Sequence, residues 1–308
     1  MFRLLFLRNT SMKTLGFFIF LTFSFYSAKS QESSYLSHFI KLDSIRYLVK
    51  QDSIRKDSLK KQLMAEKWDN RIFNPYKSVR IEFPFKISFE DSTYASPINR
   101  NKVVTSRYGW RWGRAHKGID IDLYTGDKVM AMLDGKVRFV GWHGGHGRVI
   151  IVRHYNGLET IYAHLSRYNV KVNETVKKGQ VIGRGGNSGN SRGSHVHIEV
   201  TYKGNYINPE YLFSFDEDNK IKRSYFWITQ DWVSPFLHNS KRPSEIVYYD
   251  SYEDAVNSEG LKQKIYVVKR GDTLYDIAKR YNVSISTICR ANSIRKNSPL
   301  RVGQELVL

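Results

Sequence analysis

In Ser194-His195-Val196-His197-Ile198-Glu199-Val200, polar and apolar residues alternate from His195 onward. Successive side chains of an extended strand leave on opposite faces. His195, His197 and Glu199 therefore share one face, and Val196, Ile198 and Val200 share the other, which can pack into a core. A second stretch, His116-Lys117-Gly118-Ile119-Asp120-Ile121-Asp122-Leu123, reads the same way. It sets His116, Gly118, Asp120 and Asp122 on one face and Ile119, Ile121 and Leu123 on the other. Gly118 and the strict period of two argue against a helix.

Working outward, short β-branched runs alternate with Gly-rich turns at 128–131, 136–140, 149–154, 159–164, 180–183 and 195–201. Short strands punctuated in this way predict antiparallel sheets in a sandwich or barrel-like domain, which we assign to 101–213. Upstream, 31–68 is charged and lacks Pro and Gly. Leu42, Ile45 and Val49, then Leu59 and Leu63, fall at helical spacings there, which predicts a solvated, imperfectly amphipathic spacer helix. Pro75 and Pro84 punctuate 69–100, read as a lead-in wrapping onto the β domain. The stretch 214–263 holds Tyr225, Phe226, Trp227 and Trp232 but no motif, and is treated as a linker of unknown role with a helix over 250–261. The expected fold class is mainly β with antiparallel sheets, an N-terminal helical segment and a small C-terminal βααβ module over 264–308.

Lys and Arg total 49 against 29 Asp and Glu, a formal net charge of +20. Such an excess selects for anionic partners: nucleic acid, acidic lipid or an anionic cell wall. The N-terminus narrows the choice. Lys13 precedes an uncharged run over 15–26, and Ala28 and Ser30 supply small residues beyond it, the layout of a secretory signal peptide over 1–30. The run is shorter than the ~20 residues of a transmembrane helix, although an uncleaved anchor is the rival reading. Export to the periplasm or cell envelope argues against nucleic acid as a partner. The lone cysteine, Cys289, excludes an internal disulfide framework and a thiolate-built zinc site, and reads as a small buried hydrophobe.

Two histidines on one strand face, with an imidazole and a carboxylate on another, have the chemistry of a metal site. A catalytic zinc takes three ligands from His and Asp/Glu and keeps a fourth position open. It makes water a usable nucleophile near neutral pH, and a neighbouring base or hydrogen-bond donor must then handle protons and developing charge. Tyr162-Ala163-His164-Leu165 adds a third histidine on a predicted strand. His143 and His146, in the Gly-rich stretch 141–147, read as solvated turn residues in preference to substrate contacts, and His154, His38 and His238 have no evident partner.

In order and spacing, residues 100–210 resemble the lysostaphin/LytM-type zinc endopeptidases. The matches are Tyr108-Gly109-Trp110-Arg111, His116 with Asp120, Tyr162-Ala163-His164-Leu165, and the Gly/Ser-rich turn 187–194 leading into His195-Val196-His197. Arg192 and Ser194 depart from the family's usual Ser-Thr-Gly-Pro turn. The resemblance implies hydrolysis of peptidoglycan peptides, with His116, Asp120 and His197 as zinc ligands. It places His164 and His195 beside the metal, as general base or as stabilisers of the oxyanion. Arg111 and Asn187 are candidate substrate contacts.

Residues 264–308 resemble a LysM domain through Gly271-Asp272-Thr273-Leu274, Ile277-Ala278, Asn292 and Gly303-Gln304. Thr273 and Asp276 fit a helix N-terminal capping box. That resemblance implies binding to N-acetylglucosamine-containing glycan strands. A second reading of the whole is a catalytically silent wall-binding protein that activates a separate amidase, among other cell-division or wall-hydrolase partners. A third is a purely structural wall binder.

Overall fold

The computed structural model describes residues 41, 44–260, 265–281 and 284–308. The expected signal peptide and His38 lie outside them. The chain divides into two compact units, Met1–Leu59 and Lys60–Leu308. In the first, 44–59 is helical with exposed side chains, as its charge pattern predicts. No described helix is long and apolar enough to cross a membrane.

The second unit is mainly β. Its large antiparallel sheet runs in the order Thr175–Val176, Gly135–His143, Gly147–His154, Leu158–Leu165, His195–Tyr202, Ile119–Asp122, Val104–Ser106, with Asn205–Ile207 paired to part of the His195–Tyr202 strand. A smaller sheet orders Arg167–Tyr168, Val181–Arg184 and Lys128–Met130. Ile150, Val152, Tyr162, Val196, Ile198 and Val200 from the large sheet share one core with Val129 and Ile182 from the small one. These strands coincide closely with the period-two runs.

The stretch 116–123 is not one strand. Arg114–His116 closes a hairpin with Gly109–Arg111, while Ile119–Asp122 joins the large sheet. The break at Lys117-Gly118 has a steric reason. A Cβ on Gly118 would lie 2.3 Å from the Ile198 carbonyl oxygen and 2.8 Å from His197 Cε1. Beyond the break the alternation resumes, with Ile119 and Ile121 fully buried.

The other face of the large sheet carries charge. Arg138 and Arg153 are fully buried, and both bond to Glu159. Arg138 also donates to carbonyls of the lead-in, Asp69 (2.9 Å), Ile72 (2.8 Å) and Phe73 (2.7 Å), and Arg153 to the Glu66 carbonyl just before it (2.6 Å). A buried guanidinium is tolerated only when its charge and donors are matched, so 66–73 is strapped across this face. Residues 214–260 also pack on the unit: Tyr225–Ile228 pairs with Phe85–Ser88, Phe226 and Trp232 enter the main core, and Tyr252–Gly260 is helical.

The C-terminal module has the expected βααβ order. Ile265–Val267 pairs antiparallel with Glu305–Val307 around helices Leu274–Tyr281 and Ile285–Ala291. Thr273 Oγ1 accepts from the Asp276 N–H at 3.1 Å and donates to its carboxylate at 2.6 Å, which caps the first helix. Cys289 is buried in the small core with Tyr266, Ile277, Ile288 and Leu306. Asn292 ties the second helix to the returning strand through both directions of bonding with Val307.

His154 has partners after all. Its Nδ1–H donates to the Asp134 carbonyl at 2.9 Å, and Nε2 meets the Thr160 hydroxyl at 2.8 Å. Burial pushes its pKa down to about 4. Above pH ~6.5 the residue is neutral in both states and its ionisation has no effect on stability. As pH falls from there towards 4, the unfolded chain binds a proton that the folded chain refuses, so stability is lost. Urea unfolding of the full chain at pH 7 and pH 5 should show this group removing roughly 2 kcal/mol over that interval. His154→Asn should lose that share of the pH dependence, leaving the same-sign contributions of His116, His143, His164 and His238, whose pKa values burial also lowers. Equal slopes in the two proteins would contradict the assignment. Gly118→Ala should cost about 1–3 kcal/mol in the same assay, the range for overpacking, since the backbone at Ile198 leaves no room.

Candidate metal centre

Sheet register assembles the site. His197 lies opposite Asp120 on one side and Ala163 on the other, which brings the face of the His195–Tyr202 strand beside Asp120. The neighbouring hairpin delivers His116 from above the strand break. His197 Nδ1 is 2.7 Å from Asp120 Oδ1, His116 Nε2 is 3.0 Å from the same oxygen, and the two nitrogens are 3.0 Å apart. All three side chains are buried.

Each of the three is held from behind. His116 Nδ1–H donates to the Arg107 carbonyl at 2.6 Å, which leaves Nε2 as the inward atom. Arg111 Nη1 lies 2.9 Å from Asp120 Oδ2 and also reaches Ser106 Oγ. Arg111 thus spends its guanidinium on the Asp120 carboxylate. His197 Nε2 faces Glu199 Oε1 at 3.2 Å. Burial opposes the charge on Asp120, but hydrogen bonds from His116 and His197 outweigh it and hold the carboxyl well below its usual range. Burial likewise works against His197⁺, yet the carboxylates of Asp120 and Glu199 lift its pKa to about 9. The buried carboxylates of Asp120 and Glu199 thus favour positive charge at His197.

Two further histidines turn the same nitrogen towards this cluster. His164 Nδ1–H donates to the Ser188 carbonyl at 2.8 Å and His195 Nδ1–H to the Gly193 carbonyl at 2.8 Å. Their rings lie 4.7 Å apart, and His195 Nε2 is 3.7 Å from Asp120 Oδ1. Burial, with the nearby His197 second, pushes His164 down to about 4, so it is neutral at neutral pH. The turn that supplies both carbonyls is pinned at Gly189, where a Cβ would meet Gly147 N at 2.4 Å and φ is +71°. Asn187 and Arg192 are exposed on this turn, and Ser194 Oγ meets Thr125 Oγ1 at 2.7 Å.

His143 and His146 are not merely solvated turn residues. His146 Nε2 stands 3.2 Å from Glu199 Oε2, and the His143 ring stacks on Phe73 at 3.7 Å. The alternation of 195–200 already put Glu199 on this face; nothing in the sequence linked it to the 143–146 tip. His238 Nε2–H donates to the Asp231 carbonyl at 3.0 Å.

Residues 114–209 match Peptidase family M23 and residues 266–308 match the LysM domain. An uncharacterized metalloprotease of Haemophilus influenzae is 42% identical over 118 residues, 37% of this chain and 24% of that protein. The peptidoglycan DD-endopeptidase ShyC of Vibrio cholerae is 38% identical over 96 residues, 31% of this chain and 22% of that protein. The matched part of the chain thus spans about a quarter of the length of these curated relatives. The catalytic domain of the antimicrobial peptidase lysostaphin from Staphylococcus simulans is 32% identical, with 36% of this chain and 90% of that one covered at a TM-score of 0.34. Residues 114–209 form a peptidase family M23 domain, and residues 266–308 form a LysM domain.

Proposed function

We propose that the chain is an exported zinc endopeptidase that hydrolyses the peptide crosslinks of peptidoglycan, held on the wall's glycan strands by its LysM domain. The observation that carries the reading is the convergence of His116 Nε2, Asp120 Oδ1 and His197 Nδ1 within 3.0 Å of one another. Ligands at about 2.0–2.1 Å from a tetrahedral zinc stand ~3.3 Å apart, so these atoms, now 2.7–3.0 Å apart, need to spread by roughly half an ångström or less. A donor set of two imidazoles and one carboxylate suits zinc and leaves one position open. When bound there, zinc supplies a Lewis acid for the scissile carbonyl and acidifies water.

The remaining chemistry falls to the two flanking histidines. Both keep Nδ1–H on a carbonyl, so both offer Nε2 as an acceptor. His195 is the better general base. Its side chain is partly exposed and lies near the Asp120 carboxylate, and Ser191 Oγ is 3.1 Å from its Nδ1. Those surroundings accommodate the imidazolium formed when Nε2 takes a proton from the attacking water. His164 is buried and resists charge, so its Nε2 accepts a hydrogen bond from that water and orients it. His195 then returns the proton to the leaving amine. The basic net charge of +20 suits an anionic wall, and a weak glycan contact raises the local concentration of crosslinks by tethering.

Purified sacculi treated with the zinc-loaded chain should lose crosslinked muropeptides, read by chromatography and mass spectrometry. His197→Ala and a chelated sample should leave them intact. Zinc binding without any cleavage would move the assignment to the amidase-activating reading. Among active-site variants, His195→Ala should lower kcat about 10²–10⁴-fold, the usual contribution of a general base, with a smaller loss in His164→Ala. The reverse order in steady-state kinetics would exchange the two roles.

A further inference from the structure

We infer that a proton-ordered chain from His143 through His146 and Glu199 positions the His197 imidazole for the metal, and that Phe73 clamps this chain in place. The inference rests on the zinc reading above and names what orients one of the ligands.

The two nitrogens of His197 face different tasks. Nδ1 is directed at Asp120 and His116, while Nε2 is 3.2 Å from Glu199 Oε1. A ligating nitrogen needs its lone pair, so the ring proton belongs on Nε2, and a carboxylate at that point selects this tautomer. Glu199 is itself 3% exposed. Its second oxygen, Oε2, has no well-aligned hydrogen bond, and His146 Nε2 approaches it at 3.2 Å. His146 Nδ1 in turn faces His143 Nδ1 at 3.1 Å. Two imidazole nitrogens at that separation need one proton between them.

One proton order serves every contact. His143 Nδ1–H donates to His146 Nδ1, His146 Nε2–H points to Glu199 Oε2, and His197 Nε2–H donates to Glu199 Oε1. The His197 Nδ1 lone pair is then free for a cation. If the neutral His146 ring carried its proton on Nδ1 instead, a bare nitrogen would face a buried carboxylate oxygen. The clamp is aromatic: the Phe73 and His143 rings are parallel within 6° at 3.7 Å, and Phe73 also lies 5.0 Å from the His146 ring. Arg138 anchors the Phe73 carbonyl at 2.7 Å. The lead-in is thereby joined to the metal centre.

The test uses the full chain and reads zinc affinity by competition with a chromophoric chelator. The visible spectrum of the cobalt-loaded protein reports ligand geometry, and thermal unfolding of the metal-free protein controls for folding. Glu199→Gln should bind zinc about 10–100-fold more weakly, the range for partners that orient a ligating histidine. His146→Ala and Phe73→Ala should each lose several-fold and shift the cobalt bands. His146→Gln, which can still donate to Glu199, and Phe73→Tyr, which still stacks, should recover the wild-type values. If the wild type binds tightly while His146→Ala and Phe73→Ala stay within twofold with unchanged cobalt spectra, this inference is overturned and the proposed function stands. If the wild type binds no zinc, both fall. Should Glu199→Gln not fold, the His146 and Phe73 pairs decide the matter.

Discussion

The rest of the structure depends on the register that sets His197 opposite Asp120 and Ala163. A slip of one residue in a strand turns every side chain to the other face. Here it would drive His195, His197 and Glu199 into the core and expose Val196, Ile198 and Val200, all fully buried. Burying such side chains contributes about 1.5–3 kcal/mol each, while a histidine forced into the core without partners is penalised. The apolar face therefore sets the register, and the polar face receives its geometry as a consequence. Ala163 matters in this scheme because a small side chain beside His197 leaves space for the imidazole.

Polar atoms on that face are grouped by distance along the sheet. At one end sit the metal-site groups; further along, Arg138, Arg153 and Glu159 bury two positive charges against one negative. Carbonyls of 66–73 supply the missing negative ends of dipoles. Removing that segment would strip these partners from both guanidiniums and uncover the face they occupy. The lead-in is thus bound to the β domain by a charge requirement, which distinguishes it from a detachable spacer.

Period-two alternation made the strands, the shared face of His195, His197 and Glu199, and the βααβ order of the C-terminal module legible in the sequence, because each follows from neighbours in the chain. The break at Lys117-Gly118 was not legible, since its cause is the His197 ring and the Ile198 carbonyl on another strand. The same limit applies to 143–146. Glycines around two histidines look like a solvated tip until the sheet brings Glu199 and Phe73 against them. The stretch 214–263 read as a linker without a motif, because the pairing of Tyr225–Ile228 with Phe85–Ser88 is a tertiary fact. His154 lacked a local partner for that reason too: its bonds go to Asp134 and Thr160 on either side of the strand.

The orientation of the three ligand-type residues comes from two parts of the chain, the segment 107–111 and the central strand. The Arg107 carbonyl turns His116, Arg111 from the adjoining hairpin holds Asp120, and Glu199 on the central strand holds His197. No two share an anchor atom, but the segment 107–111 carries two of the three anchors. A cation bound by all three would draw on hairpin, strand and sheet at once. Binding that favours only the folded arrangement stabilises it by mass action, and its free energy is shared with folding. Occupancy of the site would therefore tighten the hairpin at Arg114–His116 against the large sheet, the junction where Gly118 leaves the chain no side chain of its own to pack.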